Sequence, residues 1–87
     1  MKKTFEKTIL IVDDEESVAD SLQMVLKEDY RTLWASDSNE ALRLFHRNKI
    51  HLILLDVNLP GTDGLGVLRQ IRDVEPDLPV IMLTAAQ

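Results

Sequence analysis

The sequence has no cysteine, which excludes disulfides, thiolate metal sites and cysteine nucleophiles. A reducing cytoplasm is compatible with that absence and is the expected location. Positive charge is also scarce: 10 lysines and arginines stand against 15 aspartates and glutamates, a formal charge of -5. Such a surface repels a phosphate backbone, so no direct contact with nucleic acid is expected. Long apolar runs are missing too. The first seven residues are basic in character, but Ile9-Leu10-Ile11-Val12 behind them is far too short for a signal-peptide core or a membrane span. There is no internal repeat, linker or low-complexity stretch.

What remains is one domain's worth of chain. At 87 residues the buried share of the surface is small enough for stability to be marginal. Hydrophobic residues at 45% and charged residues at 29% are ordinary for a folded domain and too apolar for a disordered one.

Three short apolar runs organise the chain: Ile9 to Val12, Leu52 to Leu55 and Val80 to Leu83. Continuous runs of this length suit strands buried on both faces of a parallel sheet. Pro79 is tolerated where it opens the third run. Thr32 to Ala35 alternates more and is expected at a sheet edge. Between the runs the apolar period is helical. Val18, Leu22, Val25 and Leu26 form one stripe, with Asp20, Gln23 and Lys27 turned away. Ser38 is the expected cap of a second helix, whose inner face is Ala41, Leu42 and Phe45 and whose end lies near Asn48. A third helix follows Thr62-Asp63-Gly64, buries Leu68 and Ile71 with Val67 or Val74, and is closed by Pro76. Gly66 within it costs about 1 kcal/mol relative to alanine. Strands alternating with helices predict an α/β fold with a parallel sheet and right-handed crossovers.

The chemistry sits where the runs stop. Asp13 and Asp14 end the first, and Asp56 ends the Leu52 to Leu55 run. In open parallel sheets ligands bind beyond the carboxyl ends of the strands. If those two strands are neighbours, three carboxylates share one pocket, and two charges at 4 Å repel by about 4 kcal/mol at an effective dielectric of 20. A hard divalent cation relieves this, and Mg²⁺ uses few carboxylates, several waters and a phosphate oxygen. A carboxylate can itself attack phosphorus when positive charge neutralises the phosphoryl oxygens. Asp56 suits that role, with the Thr84 hydroxyl placed for a phosphoryl oxygen and small Ala85 leaving the path open. His46 and His51 are five apart across a helix end and a strand start, which is not a ligand spacing, so solvated or local roles are expected. Trp34 and Tyr30 read as packing residues.

Three stretches carry a family resemblance: Ile11-Val12-Asp13-Asp14-Glu15, then Leu54-Leu55-Asp56-Val57-Asn58-Leu59-Pro60-Gly61-Thr62-Asp63-Gly64, then Pro79-Val80-Ile81-Met82-Leu83-Thr84-Ala85. In this order, each at a strand end, they resemble the response-regulator receiver domain of two-component signalling. The resemblance runs from Thr8 to Ala86. It implies a flavodoxin-like parallel sheet with helices on both faces, strand order 2-1-3-4 within this chain, and Asp56 as phosphoacceptor. It further implies Mg²⁺ held by Asp14 and Asp56, with Asp13 bound directly or through water and the backbone carbonyl of Asn58 as a further contact. Thr84 matches the family's switch hydroxyl. The implied partners are a sensor histidine kinase, which carries the donating histidine, or a small phosphodonor.

Such domains continue into a fourth helix, a fifth strand and a fifth helix, with a lysine on the fifth strand. No lysine follows Lys49 here, so residues 1–87 read as a receiver domain incomplete at its C-terminal end and impaired in phosphorylation. An exposed fourth-strand edge is then expected to pair with a second copy as a homo-oligomer. Two other classes compete. An aspartate-nucleophile phosphohydrolase wants a general acid two residues after the nucleophile, where this chain has Asn58. A non-phosphorylated oligomerisation or interaction module is the other.

Overall fold

A strand that is apolar at every position needs a neighbour on both sides and a layer on both faces, and the two most apolar runs take the two central places in the sheet. The structure, a computed structural model, describes residues 6–59 and 64–83. Its elements are β1 (Thr8–Val12), α1 (Glu16–Leu26), β2 (Arg31–Ala35), α2 (Ser38–Arg47), β3 (Leu52–Asp56), α3 (Gly64–Val74) and β4 (Val80–Leu83). The four strands are parallel in the order β2-β1-β3-β4, as the resemblance implied. All five residues of β1 are buried, whereas β2, at the edge, exposes Arg31 and half-buries Thr32, Leu33 and Trp34.

The order of the strands decides where the helices go. From β1 the chain steps to one side to reach β2, then steps back across β1 to β3 and on to β4. Right-handed crossovers therefore place α1 on one face and the later two helices on the other. The packing shows this division. Ile9, Ile11 and Leu54 meet Ala19 of α1, with Leu22, Leu26 and Trp34 around them. Leu10, Val12, Ile53 and Leu55 meet Ala41 and Phe45 of α2 and Val67 and Ile71 of α3. At the amino ends of the strands His51 Nδ1 accepts from Thr8 N–H at 3.0 Å and His51 N–H donates to Thr8 O at 2.9 Å. His51 thus closes the sheet end locally, and His46 is exposed.

Some local expectations need correction. Val25 is 76% exposed, while Gln23, expected outside, is half-buried and donates to Thr32 Oγ1 at 3.3 Å. The stripe of α1 is Val18, Ala19, Leu22, Gln23 and Leu26, because Ala19 must point inward for the helix to approach the sheet. Asp37, not Ser38, caps α2: its carboxylate accepts from Glu40 N–H at 2.8 Å, leaving Ser38 as the buried first helical residue. In α3, Val67 and Ile71 are buried, Leu68 is half-buried and Val74 is 57% exposed. That helix stops two residues before Pro76, as expected.

β4 pairs only with β3 among the described residues, and its Ile81 and Met82 are 53% and 41% exposed. This is the edge on which pairing between copies was expected. No helix among the described residues is long and apolar enough to cross a membrane.

Candidate functional site

The chain changes direction within the sheet between β1 and β3, and at such a switch point the loops leaving two adjacent strands diverge to opposite faces and open a crevice. Val12 pairs with Leu55, so Asp13 and Asp56 follow at equivalent places on neighbouring strands, about 4.8 Å apart. Asp14 comes one residue later. One carboxylate oxygen from each of Asp13, Asp14 and Asp56 lies within 4.8 Å of the other two. The structure thus brings together the three carboxylates singled out from the sequence.

Local hydrogen bonds aim two of them. Asp13 Oδ1 accepts from Glu15 N–H and Asp56 Oδ1 from Asn58 N–H, both at 2.9 Å. These i to i+2 bonds are the Asx geometry that turns a chain as it leaves a strand. Each leaves acceptor capacity on its carboxylate for something in the crevice. The Asp13 backbone is tied to β2: its N–H donates to Ala35 O at 3.0 Å, and its carbonyl accepts from Trp34 Nε1 at 2.7 Å.

The crevice is about 370 Å³ and is lined by Asp13, Asp14, Glu15, Val18, Leu22, Asp56, Asn58 and Leu83. Four of these are acidic and none is basic. Asp13 is only 4% exposed, and its carboxyl is held above the usual aspartate range, first by burial and then by the Asp56 and Asp14 charges. The Glu15 N–H opposes this without cancelling it. A buried carboxylate beside two others, with no positive side chain among the described residues of the crevice wall, is a donor set of hard oxygens suited to a hard divalent cation. It is unsuited to an anion unless such a cation is present.

Asn58 lies on the crevice wall. Thr84, Pro60, Gly61, Thr62 and Asp63 lie outside the described residues. Two residues that sequence reasoning passed over also matter. Trp34, read as packing alone, bonds the loop that carries the acids. Gly64 opens α3 against the loop that leaves β3: a Cβ there would lie 2.7 Å from Val57 Cα and 2.9 Å from Val57 O. The approach is backbone to backbone, so no rotamer can relieve it. Its one sequence signal is a glycine at a helix start, where a side chain is ordinarily tolerated. Gly64→Ala is expected to cost about 1–3 kcal/mol and to shift the amide resonances of Val57 and Asn58. Unchanged urea midpoint and unchanged Val57 shifts would contradict this contact.

The sequence model of the response regulator receiver domain matches residues 9–87. Among solved structures, a CheY-like receiver domain protein from Methanospirillum hungatei JF-1 is 30% identical with a TM-score of 0.88, covering 97% of this chain and 67% of that one. The non-phosphorylated HemR receiver domain from Leptospira biflexa is 37% identical, TM-score 0.86, with 92% and 65% covered. The response regulator TrrA from Thermotoga maritima, solved in complex with Mg²⁺-BeF, is 38% identical, TM-score 0.85, with 93% and 71% covered. This chain spans about two thirds of the length of these relatives. Matching residues, strand order and the acidic crevice agree: the chain belongs to the response regulator receiver domain family.

Proposed function

We propose that this chain is the phosphoacceptor part of a cytoplasmic two-component signalling protein, with Asp56 as the acceptor and a sensor histidine kinase or a small phosphodonor as the source. The observation that carries the reading is the convergence of the Asp13, Asp14 and Asp56 oxygens within 4.8 Å in a crevice whose described wall bears no positive side chain. In this reading Asp13, Asp14, Asp56 and the Asn58 carbonyl hold Mg²⁺. When bound, the ion would supply charge neutralisation for the phosphoryl oxygens, which no described residue of the wall supplies. The Mg²⁺-BeF complex of the Thermotoga maritima relative supports that choice of ion.

The residues' own part is then definable. A carboxylate oxygen of Asp56 attacks phosphorus; the new O–P bond forms as the bond from phosphorus to the donor's imidazole nitrogen or acyl oxygen breaks, and the donor leaves with that electron pair. Asn58 N–H on Asp56 Oδ1 holds the carboxylate in place during the approach. Thr84 is assigned the switch hydroxyl on a phosphoryl oxygen. The phosphohydrolase reading is disfavoured because the residue two after Asp56 is an amide with no acidic proton to give.

Metal titration followed by calorimetry or amide shifts tests the site. Asp14→Ala should weaken Mg²⁺ binding at least about tenfold, while Glu15→Ala, whose carboxylate is outside the three-oxygen cluster, should change it less than about twofold. Equal losses in the two variants would sink the assignment.

A further inference from the structure

Each acid of the cluster needs a fixed direction, and the structure shows how two of the three obtain one. Asp13 and Asp56 are aimed by the N–H groups of Glu15 and Asn58. Asp14 is exposed and its carboxylate has no side-chain hydrogen bond with any described residue, so what the described residues fix of its placement is the backbone from which the side chain leaves. That backbone is held from β2. The carbonyl of Asp13 belongs to the peptide leading into Asp14, and it accepts from Trp34 Nε1 at 2.7 Å. Because a peptide unit is planar, fixing that carbonyl fixes the Asp14 N–H and Cα with it. The Asp13 N–H, bonded to Ala35 O at 3.0 Å, clamps the other side of the same residue. Trp34 is well placed to do this: it pairs with Ile11 and packs with the Ile9, Ile11 and Leu54 cluster. The ring is therefore braced while its N–H reaches past the end of β1.

We infer that Trp34 is a positioning residue for the acidic site, setting the Asp13–Asp14 peptide plane through its indole N–H and thereby aiming the Asp14 carboxylate at the cluster. The inference rests on the reading of that cluster as a divalent-cation site. A purely packing role for Trp34 makes a different demand: it needs the shape of the ring and is indifferent to the N–H.

The test uses the protein at its natural length in two forms, Trp34→Phe and a form carrying β-(3-benzothienyl)alanine at position 34, which keeps the ring shape and replaces N–H by sulfur. Three quantities are measured: Mg²⁺ affinity by calorimetry, the Asp14 amide resonance without metal, and the melting temperature in EDTA. The expected result is an Asp14 amide shift displaced in both forms and Mg²⁺ affinity lowered about tenfold, with the benzothienyl form melting as the parent does. Loss in Trp34→Phe alone, with the benzothienyl form binding like the parent, would show that ring shape matters and overturn the proposal. So would an Asp14 resonance unmoved in both forms, whatever the metal does. If the parent itself fails to bind Mg²⁺, the cation-site reading falls, while the metal-free Asp14 resonance still decides whether Trp34 orients that peptide.

Discussion

Asp56→Asn is expected to abolish covalent phosphoryl uptake from acetyl phosphate and Mg²⁺, a loss beyond about 10²-fold, when the protein at its natural length is followed by intact mass. An amide oxygen carries no negative charge and is a poor nucleophile toward phosphorus, so the O–P bond does not form. The substitution is close to isosteric. The asparagine Oδ1 can still accept the Asn58 N–H that Asp56 Oδ1 accepts at 2.9 Å, so the loop after β3 keeps its turn. Removing one of three neighbouring charges relieves repulsion, so the variant should melt no lower than the parent. Lost uptake with retained stability separates chemistry from folding. An adduct at the parent level in Asp56→Asn would show that the acceptor lies elsewhere.

Asp13→Asn should move stability and metal binding in opposite directions. Asp13 is almost fully buried beside two other carboxylates, and burial first, then their charges, hold its carboxyl above the ordinary value of 3.8. Between that value and the raised native one the folded state binds more protons than the unfolded state, so stability falls as pH rises through the window. Above the window the penalty is present in full; below the ordinary value it vanishes. Asparagine carries no such penalty and can still accept the Glu15 N–H. Without metal at neutral pH the variant should therefore be more stable, by on the order of 1 kcal/mol, and the gain should fade as pH falls toward 3.8.

With Mg²⁺ the balance changes, because a ligand at a hundred times its dissociation constant stabilises the native state by about 2.7 kcal/mol. The parent should gain that much and the variant far less, since its affinity should fall at least about tenfold. Urea melts in EDTA and in Mg²⁺ across pH check both halves. A variant less stable than the parent in EDTA at neutral pH would mean that the Asp13 charge is not the liability its burial suggests.

Legibility varied with the range of the interaction. The strands were readable because a run such as Leu52 to Leu55, apolar at successive positions, has few other ways to be buried. The ends of those runs placed the acids. Helix faces were readable to within about one position: Leu22 and Leu26 were expected inside and are partly buried there, but Val25 and Gln23 exchanged sides. The helix angle is set by how closely small Ala19 lets α1 approach the sheet, which no spacing rule contains. The cap of α2 shifted from Ser38 to Asp37 because both are good caps and the choice depends on where the backbone leaves β2.

By itself, then, the sequence determined that this is a parallel α/β chain with carboxylates at two strand ends, since burial on two faces and the period of the helices are local demands. Residue motifs added the family, and with it the strand order. Only the tertiary structure decided that the Asp13, Asp14 and Asp56 oxygens come within 4.8 Å, that Asp13 loses its water, that Gly64 must have no side chain and that Trp34 holds the Asp13 carbonyl. Each of these depends on pairing or packing between residues far apart in the chain. Such distances are fixed by how the strands pair and the loops cross, and no single stretch of sequence carries them.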